Sequence, residues 1–176
     1  IQPFSPMAGT GLSSHELNQP GTYQETTDTT ITAQFKTIPE SLPEEIKDEI
    51  ALYILAWTTT PWTLPSNTAL TIGKKIDYLI IRTFNQYTFK PIRVLIAKDL
   101  IKKQFGEKFI ESPSVDNYKP SDKKIPYKIE SEHKGSELLG IRYEKIWSES
   151  PVPIENSENA YRIISGDFVT TEEGTG

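Results

Sequence analysis

Thirteen prolines spread over 176 residues cut this chain into short segments. Proline removes a backbone donor and breaks a helix interior, so long helices have little room here. The apolar runs between the prolines are short, and threonine is frequent, which suits strands and loops. Ile31, Ala33 and Phe35 alternate with Thr32, Gln34 and Lys36, the pattern of a half-buried strand. Further strands are expected at Tyr53 to Trp57, Thr68 to Ile72, Tyr78 to Ile81, Arg93 to Ile96 and Ile125 to Ile129. Ser136 to Tyr143 reads as a turn into another strand, and Tyr161 to Ile164 with Phe168-Val169 completes the set. Helices are expected to be few and short. Ser41 is placed to cap one through Pro43 to Ile46. Asp99 is placed to cap another, in which Leu100, Ile101 and Phe105 share a face and Gly106 ends the turn. Residues 1–30 read as an irregular strand and loops, and 112–128 as a polar loop. With no βαβ rhythm and no internal repeat, the expected class is mostly β with peripheral helices (α+β). The expected architecture is a β-barrel in a single domain.

Composition removes several kinds of chemistry. There is no cysteine, so disulfides, thiol catalysis and thiolate metal sites are excluded. Two histidines, His15 and His133, lie far apart and cannot by themselves make a zinc site, so no metal is expected. The net charge of -5 argues against a protein that lives on non-specific nucleic-acid contacts. Nothing approaches the roughly 18–20 continuous apolar residues of a membrane-spanning helix, and no signal-peptide pattern opens the chain. No membrane partner is expected, and the absence of cysteine fits a cytoplasmic location. The sequence starts at Ile1 and closes on Glu-Glu-Gly-Thr-Gly, so both ends read as cut from a longer chain.

The functional residues should lie in one stretch, Trp57-Thr58-Thr59-Thr60-Pro61-Trp62-Thr63-Leu64-Pro65-Ser66-Asn67. It follows the apolar run Ala51 to Ala56. Threonine hydroxyls both donate and accept, and Pro61 leaves backbone groups unpaired. Such an array can hold a water beside a carbonyl without a strong base. The plain alternative is a strand followed by a proline-containing turn, since threonine suits strands. Other features read as structural. Lys119, Lys123, Lys124 and Lys128 suit a solvated loop better than an RNA contact. Glu172 and Glu173 suit a structural or rim role, and Tyr143 and Trp147 a core.

The order of residues from Trp57 to Asn67 resembles the threonine-rich signature of the editing domain of isoleucyl-tRNA synthetase, a domain inserted in the catalytic core of that class I enzyme. Three other segments resemble the same family: Ser13 to Asn18 with Thr27-Asp28, Gly135 to Tyr143, and Phe168 to Gly176 with its closing Gly-Thr-Gly. The related valyl and leucyl domains read Thr-Thr-Arg-Pro where this chain has Thr60-Pro61-Trp62, which favours the isoleucyl enzyme. The resemblance implies hydrolysis of misacylated valyl-tRNA(Ile), and of valyl-adenylate, with isoleucine excluded by size. It implies Thr58, Thr59 and Thr60 as catalytic residues, and Trp57, Thr63 and Asn67 as substrate-binding ones. It implies the tRNA(Ile) 3′ end, its misattached amino acid and the rest of the synthetase chain as partners. No cofactor is implied for this domain; ATP and Mg belong to the parent enzyme, which ligates isoleucine to its tRNA. One methylene is worth only about 1–3 kcal/mol in a hydrophobic pocket, a magnitude taken from synthetases of this kind and not from this chain. A second sieve is the remedy.

Two departures qualify the resemblance. Ser5 and Ala8 stand where many relatives carry Cys-x-x-Cys, so the family's zinc does not transfer. The family places a His and then a substrate-anchoring Asp soon after Gly-Thr-Gly, and neither falls within residues 1–176. The competing readings are the editing domain of a valyl or leucyl enzyme and a non-catalytic RNA-binding barrel. Residues 1–176 alone are expected to hydrolyse valyl-tRNA much more slowly than a chain extended past Gly176. Equal deacylation rates for the two would remove the Asp assignment.

Overall fold

A computed structural model describes residues 2–25, 27 and 29–176. Ile1, Thr26 and Asp28 lie outside the described residues, so the Thr27-Asp28 motif is described only at Thr27. The chain opens with a hairpin of β1 (Phe4–Ser5) and β2 (Thr10–Gly11), followed by α1 (Ser14–Leu17). Ser13 starts this turn with a reciprocal cap: its hydroxyl accepts the Glu16 N–H, and the Glu16 carboxylate accepts the Ser13 N–H at 2.7 Å.

The remaining elements are β3 (Ile31–Lys36), β4 (Leu52–Thr58), β5 (Ala69–Ile72), β6 (Asp77–Phe84), β7 (Pro91–Ala97), α2 (Ile101–Phe105), β8 (Phe109–Glu111), β9 (Ile125–Lys134) and β10 (Arg162–Ser165). Six strands form one sheet in the order β3-β4-β7-β6-β9-β8, while β10 and β5 make a separate parallel pair. The class is mostly β with few helices, as the short runs imply. The ladder ends at β3 and β8, and no pairing joins these two edges among the described residues. The expected barrel is therefore not closed by hydrogen bonds.

Both sheet faces are covered. On one, Phe35, Leu52, Ile54, Ile80 and Leu95 are buried, and Tyr143 packs edge-on against Phe35 at 5.1 Å. On the other, Leu79, Ile81, Val94 and Ile96 are buried. There Phe105 of α2 meets Tyr127 of β9 at 5.0 Å. This two-sided burial explains why β6 and β7 read as continuous apolar runs.

Several local expectations are corrected. Ser41 caps no helix; 3-10 turns at Pro39–Ser41 and Glu44–Ile46 stand there instead. Its hydroxyl donates to Ile38 O at 2.7 Å and accepts the Arg142 N–H at 2.8 Å, tying two distant segments. Asp99 caps no helix either, since Leu100 occupies the cap position without a side-chain bond; Asp99 accepts from the Thr171 hydroxyl at 3.4 Å. The segment 136–143 makes isolated bridges, Arg142 to Arg162 and Tyr143 to Thr37, because Gly140 at φ +84 turns the chain. Phe168-Val169 forms no strand, since Phe168 is exposed in the turn after Gly166; Trp147, expected in the core, is 45% exposed.

One ionic cluster sits within the sheet. Arg82 and Arg93 lie directly opposite each other on β6 and β7, a repulsive placement by itself. The ladder between β6 and β9 shifts register between Ile80 and Ile81, so that Ser131 and Ile129 are paired and Glu130 is the additional residue. Such a bulge re-aims a side chain, and Glu130 bonds both guanidinium groups, with Arg93 Nε at 2.6 Å. Asp48 takes a second nitrogen of Arg82, and Arg93 also donates to Ile46 O at 2.9 Å. The Ile50 N–H, followed by Arg82, holds the Asp48 carboxyl below its ordinary range. Since the Arg93 side chain is only 5% exposed, Glu130→Ala leaves its charge stranded. Unfolding in denaturant should show a loss of about 3 kcal/mol; a change under about 0.5 kcal/mol would show that the cluster contributes nothing.

Candidate functional site

The threonine-rich stretch begins where β4 leaves the sheet. β4 pairs with β3 along Tyr53 to Thr58 but with β7 only at Leu52, Tyr53 and Ile54. After Thr58 the backbone bends at Thr59 and enters a 3-10 turn, Pro61–Ser66. Pro61 suits its first position, where no backbone donor is needed.

Within this turn the structure joins three of the four threonines named above. The Thr58 hydroxyl lies 3.2 Å from that of Thr60 and accepts the Thr60 N–H at 3.0 Å. The Thr60 carbonyl accepts both the Thr63 N–H at 3.0 Å and the Thr63 hydroxyl at 2.8 Å. The Thr63 hydroxyl proton is thereby committed, which leaves its oxygen as an acceptor. Thr59 is exposed and its side chain makes no hydrogen bond among the described residues. The result is a cluster of hydroxyls at the surface with no ionisable side chain inside the turn.

Asn67 closes the turn. Its amide nitrogen donates to Ala69 O at 2.9 Å and its oxygen accepts the Tyr143 hydroxyl at 2.6 Å. Two different partners fix the amide orientation. Burial first, and the neighbouring Tyr161 second, push the Tyr143 phenol well above its ordinary value, against the opposing effect of Asn67. Tyr143 therefore remains a donor throughout the working pH range. It is core, as expected, but it also anchors the turn, and that role was not visible in the sequence.

Trp57 is placed apart from the hydroxyls. Successive strand residues point to opposite faces, so Trp57 and Thr58 diverge. Trp57 lines a cleft of about 320 Å³ between β4, β5 and residues 169–176. Gly174 passes close to it: a Cβ added there would lie 3.5 Å from the indole, and φ of +78 favours glycine. Among the described residues Glu173 is the only one with an ionisable side chain lining this cleft, in keeping with a rim role.

The segment 171–176 is held mainly by α2. Lys103 donates to Glu172 O, Ala97 N–H to Thr175 O at 2.9 Å, and Gln104 Nε2 to Gly174 O at 2.7 Å. Gln104 also accepts the Thr32 hydroxyl at 2.9 Å, and Thr32 is the cross-strand partner of Trp57. One carboxamide thus ties both walls of the cleft. In the sequence, Gln104 is one polar residue beside two lysines and carries no signal. The candidate metal ligands offer no cluster of three or more among the described residues.

The chain is similar over its whole length to curated proteins named isoleucine–tRNA ligase. That of Cytophaga hutchinsonii is 53% identical over 177 residues, covering 100% of this chain and 15% of the ligase. That of Bacteroides fragilis is 51% identical with the same coverage. The chain thus spans about 15% of the length of these relatives. A solved structure described as GlLeuRS-CP1 superposes with a TM-score of 0.55, covering 84% of this chain and 51% of that one. At 14% identity that likeness concerns the fold. No protein-family model matches the chain.

Gln104→Leu removes both bonds of the carboxamide, whereas Gln104→Glu keeps an acceptor for Thr32 and loses the donor to Gly174. Amide exchange at residues 172–176 should accelerate about fivefold in both variants, from loss of a bond worth roughly 1 kcal/mol. Acceleration in Gln104→Leu alone would put the weight on Thr32 instead.

Proposed function

The chain belongs over its whole length to the isoleucine–tRNA ligase family, and from that premise we propose that residues 1–176 form its editing domain, which hydrolyses valyl-tRNA(Ile), and valyl-adenylate, while excluding isoleucine. The observation that carries the proposal is the threonine turn at the end of β4, where the Thr58 and Thr60 hydroxyls meet and the Thr63 hydroxyl donates to the Thr60 carbonyl, in a chain with this family likeness. An aminoacyl ester is activated. Positioning a water and polarising the carbonyl are enough to open it. Water adds to the carbonyl carbon, the ester C–O bond breaks, and the amino acid leaves the 3′-terminal ribose oxygen.

Thr58 and Thr60 share a proton network that can accept from this water. Thr63 offers an acceptor lone pair beside them, and Thr59 projects freely towards solvent. Asn67, anchored by Tyr143, fixes the turn that carries them. Trp57, on the other face of β4 from Thr58, supplies an apolar wall in the cleft beside residues 169–176. No step needs a cofactor. ATP and Mg²⁺ serve the ligation reaction in the longer parent chain, where isoleucine is joined to its tRNA. The partners are the tRNA 3′ end and the rest of that synthetase. No helix is long and apolar enough to cross a membrane among the described residues, and a cytoplasmic site of action is proposed with the rest.

The reading is tested by deacylation. Thr58→Ala and Thr60→Ala should each slow hydrolysis of valyl-tRNA about tenfold, equivalent to ~1.4 kcal/mol of lost positioning. Isoleucyl-tRNA should stay intact with either protein. Unchanged valyl-tRNA hydrolysis in both variants would sink the role of the cluster, and equal hydrolysis of both esters would sink the sieve.

A further inference from the structure

We propose that Tyr143 is a positioning residue for the hydrolysis: its hydroxyl, bonded to Asn67, holds the threonine turn in the geometry that brings the Thr58 and Thr60 hydroxyls together. The inference rests on the ester-hydrolysis reading above and adds a residue that touches neither the ester nor the water. Both polar atoms of the Asn67 side chain are engaged within the protein, Nδ2 with Ala69 O at 2.9 Å and Oδ1 with the Tyr143 hydroxyl at 2.6 Å. Its backbone N–H donates to Leu64 O at 3.0 Å and closes the 3-10 turn. Asn67 is thus a strut between the turn and Tyr143.

The strut belongs to a ring of hydrogen bonds. The carbonyl of Thr68, next to Asn67, accepts the Tyr161 N–H at 2.7 Å, and the Tyr161 carbonyl accepts the Tyr143 N–H at 3.0 Å. The Tyr143 hydroxyl closes the ring at Asn67. Three segments far apart in sequence are locked together where the threonine turn ends, and joined hydrogen bonds reinforce one another.

Tyr161 is the joint of this ring, and its backbone is strained. Its φ of +58 lies in the left-handed region, which a bulky residue keeps only where its surroundings over-determine it. They do so here. Besides the two ring bonds, the Arg142 guanidinium donates to Glu158 O at 3.0 Å and to Ala160 O at 3.2 Å, just ahead of Tyr161. In this conformation the Tyr161 ring meets Tyr143 edge-on at 6.2 Å, while Phe35 meets it at 5.1 Å. Two aromatic contacts therefore aim the phenol, which is 1% exposed. Strain of this kind concentrates where exact geometry serves a function.

The underside of the turn has little room to move. Leu64, Pro65 and Asn67, with Ile146, Trp147 and Tyr161, line a gap of about 10 Å³, no more than the space of one water. Lys145 Nζ donates to Ser148 O and Ser150 O, both at 2.7 Å, which fixes the loop that carries Trp147. A displacement of about 1 Å at a reacting group can cost about a hundredfold in rate. Hydroxyls that position a water need a turn held in this way.

Tyr143→Phe deletes the hydroxyl and keeps both ring contacts. Its kcat on valyl-tRNA should fall about tenfold while KM stays within about twofold. Amide exchange at Thr63 and Asn67, whose N–H groups are bonded inside the turn, should accelerate about fivefold. Asn67→Ala removes the same bond from the other side and should accelerate exchange at Thr63 likewise. Adding Tyr143→Phe to Asn67→Ala should then cost no further kcat, whereas independent effects would multiply. A merely structural role would lower the yield of folded protein and leave kcat per folded molecule unchanged. Unchanged kcat in Tyr143→Phe, a loss confined to KM, or multiplied losses in the double variant would each overturn the inference. The two readings fail separately. Valyl-tRNA hydrolysis that survives Tyr143→Phe intact sinks this inference alone. No hydrolysis by the unsubstituted protein, with faster exchange at Thr63 and Asn67 in Tyr143→Phe, sinks the hydrolytic reading and upholds Tyr143 as the anchor of the turn.

Discussion

Three pairs of parallel ladder, Leu52 with Arg93, Tyr53 with Val94 and Ile54 with Leu95, set the geometry of everything around them. They bind β4 to the centre of the sheet and then stop. Beyond Ile54, β4 keeps its antiparallel partner β3 but parts from β7. Where β4 has left β7, Trp57 lines the cleft that β4 shares with β5 and residues 169–176. The divergence is kept open from the α2 side, where Ala97, Lys103 and Gln104 hold the backbone of residues 172–175.

The ionic cluster on the opposite half of the sheet shows a second constraint at work. Two arginines face each other across β6 and β7, a like-charge pair that calls for a counter-charge. One additional residue in β9 resolves this, since the bulge turns the carboxylate towards both guanidinium groups. The cluster then also gathers the loop carrying Ile46 and Asp48 against the sheet. Charge pairing and the loop's position are thus one event, and β4, which follows this loop, starts from a fixed point.

Much of the fold was legible because the signal is local. The alternation from Ile31 to Lys36 and the apolar runs at Leu52, Asp77 and Pro91 each became strands, and Gly106 ended α2 as its type requires. The failures were places where a side chain found a distant partner. Ser41 and Asp99 look like helix caps, yet Arg142 and Thr171 claim them. β8 has only three residues and depends on pairing with Ile125 to Tyr127, which no local pattern announces. In the candidate site, the threonines and Asn67 were conspicuous, whereas Gln104 and the Tyr143 hydroxyl matter only through contacts 70 and 76 residues away in sequence.

The sequence by itself determined the class, the family and the composition of the threonine turn, because strand propensity, proline placement and the order Trp57 to Asn67 are properties of contiguous residues. It could also dictate that Trp57 and Thr58 face opposite ways, since a strand alternates. Only the tertiary structure decided what each of those faces meets: Gly174 and the cleft for Trp57, and a surface cluster of hydroxyls anchored through Asn67 to Tyr143 for the threonines. The physical reason is that hydrogen bonds of a side chain are satisfied by whichever partner the packed chain brings within about 3 Å, and sequence distance places no limit on that choice.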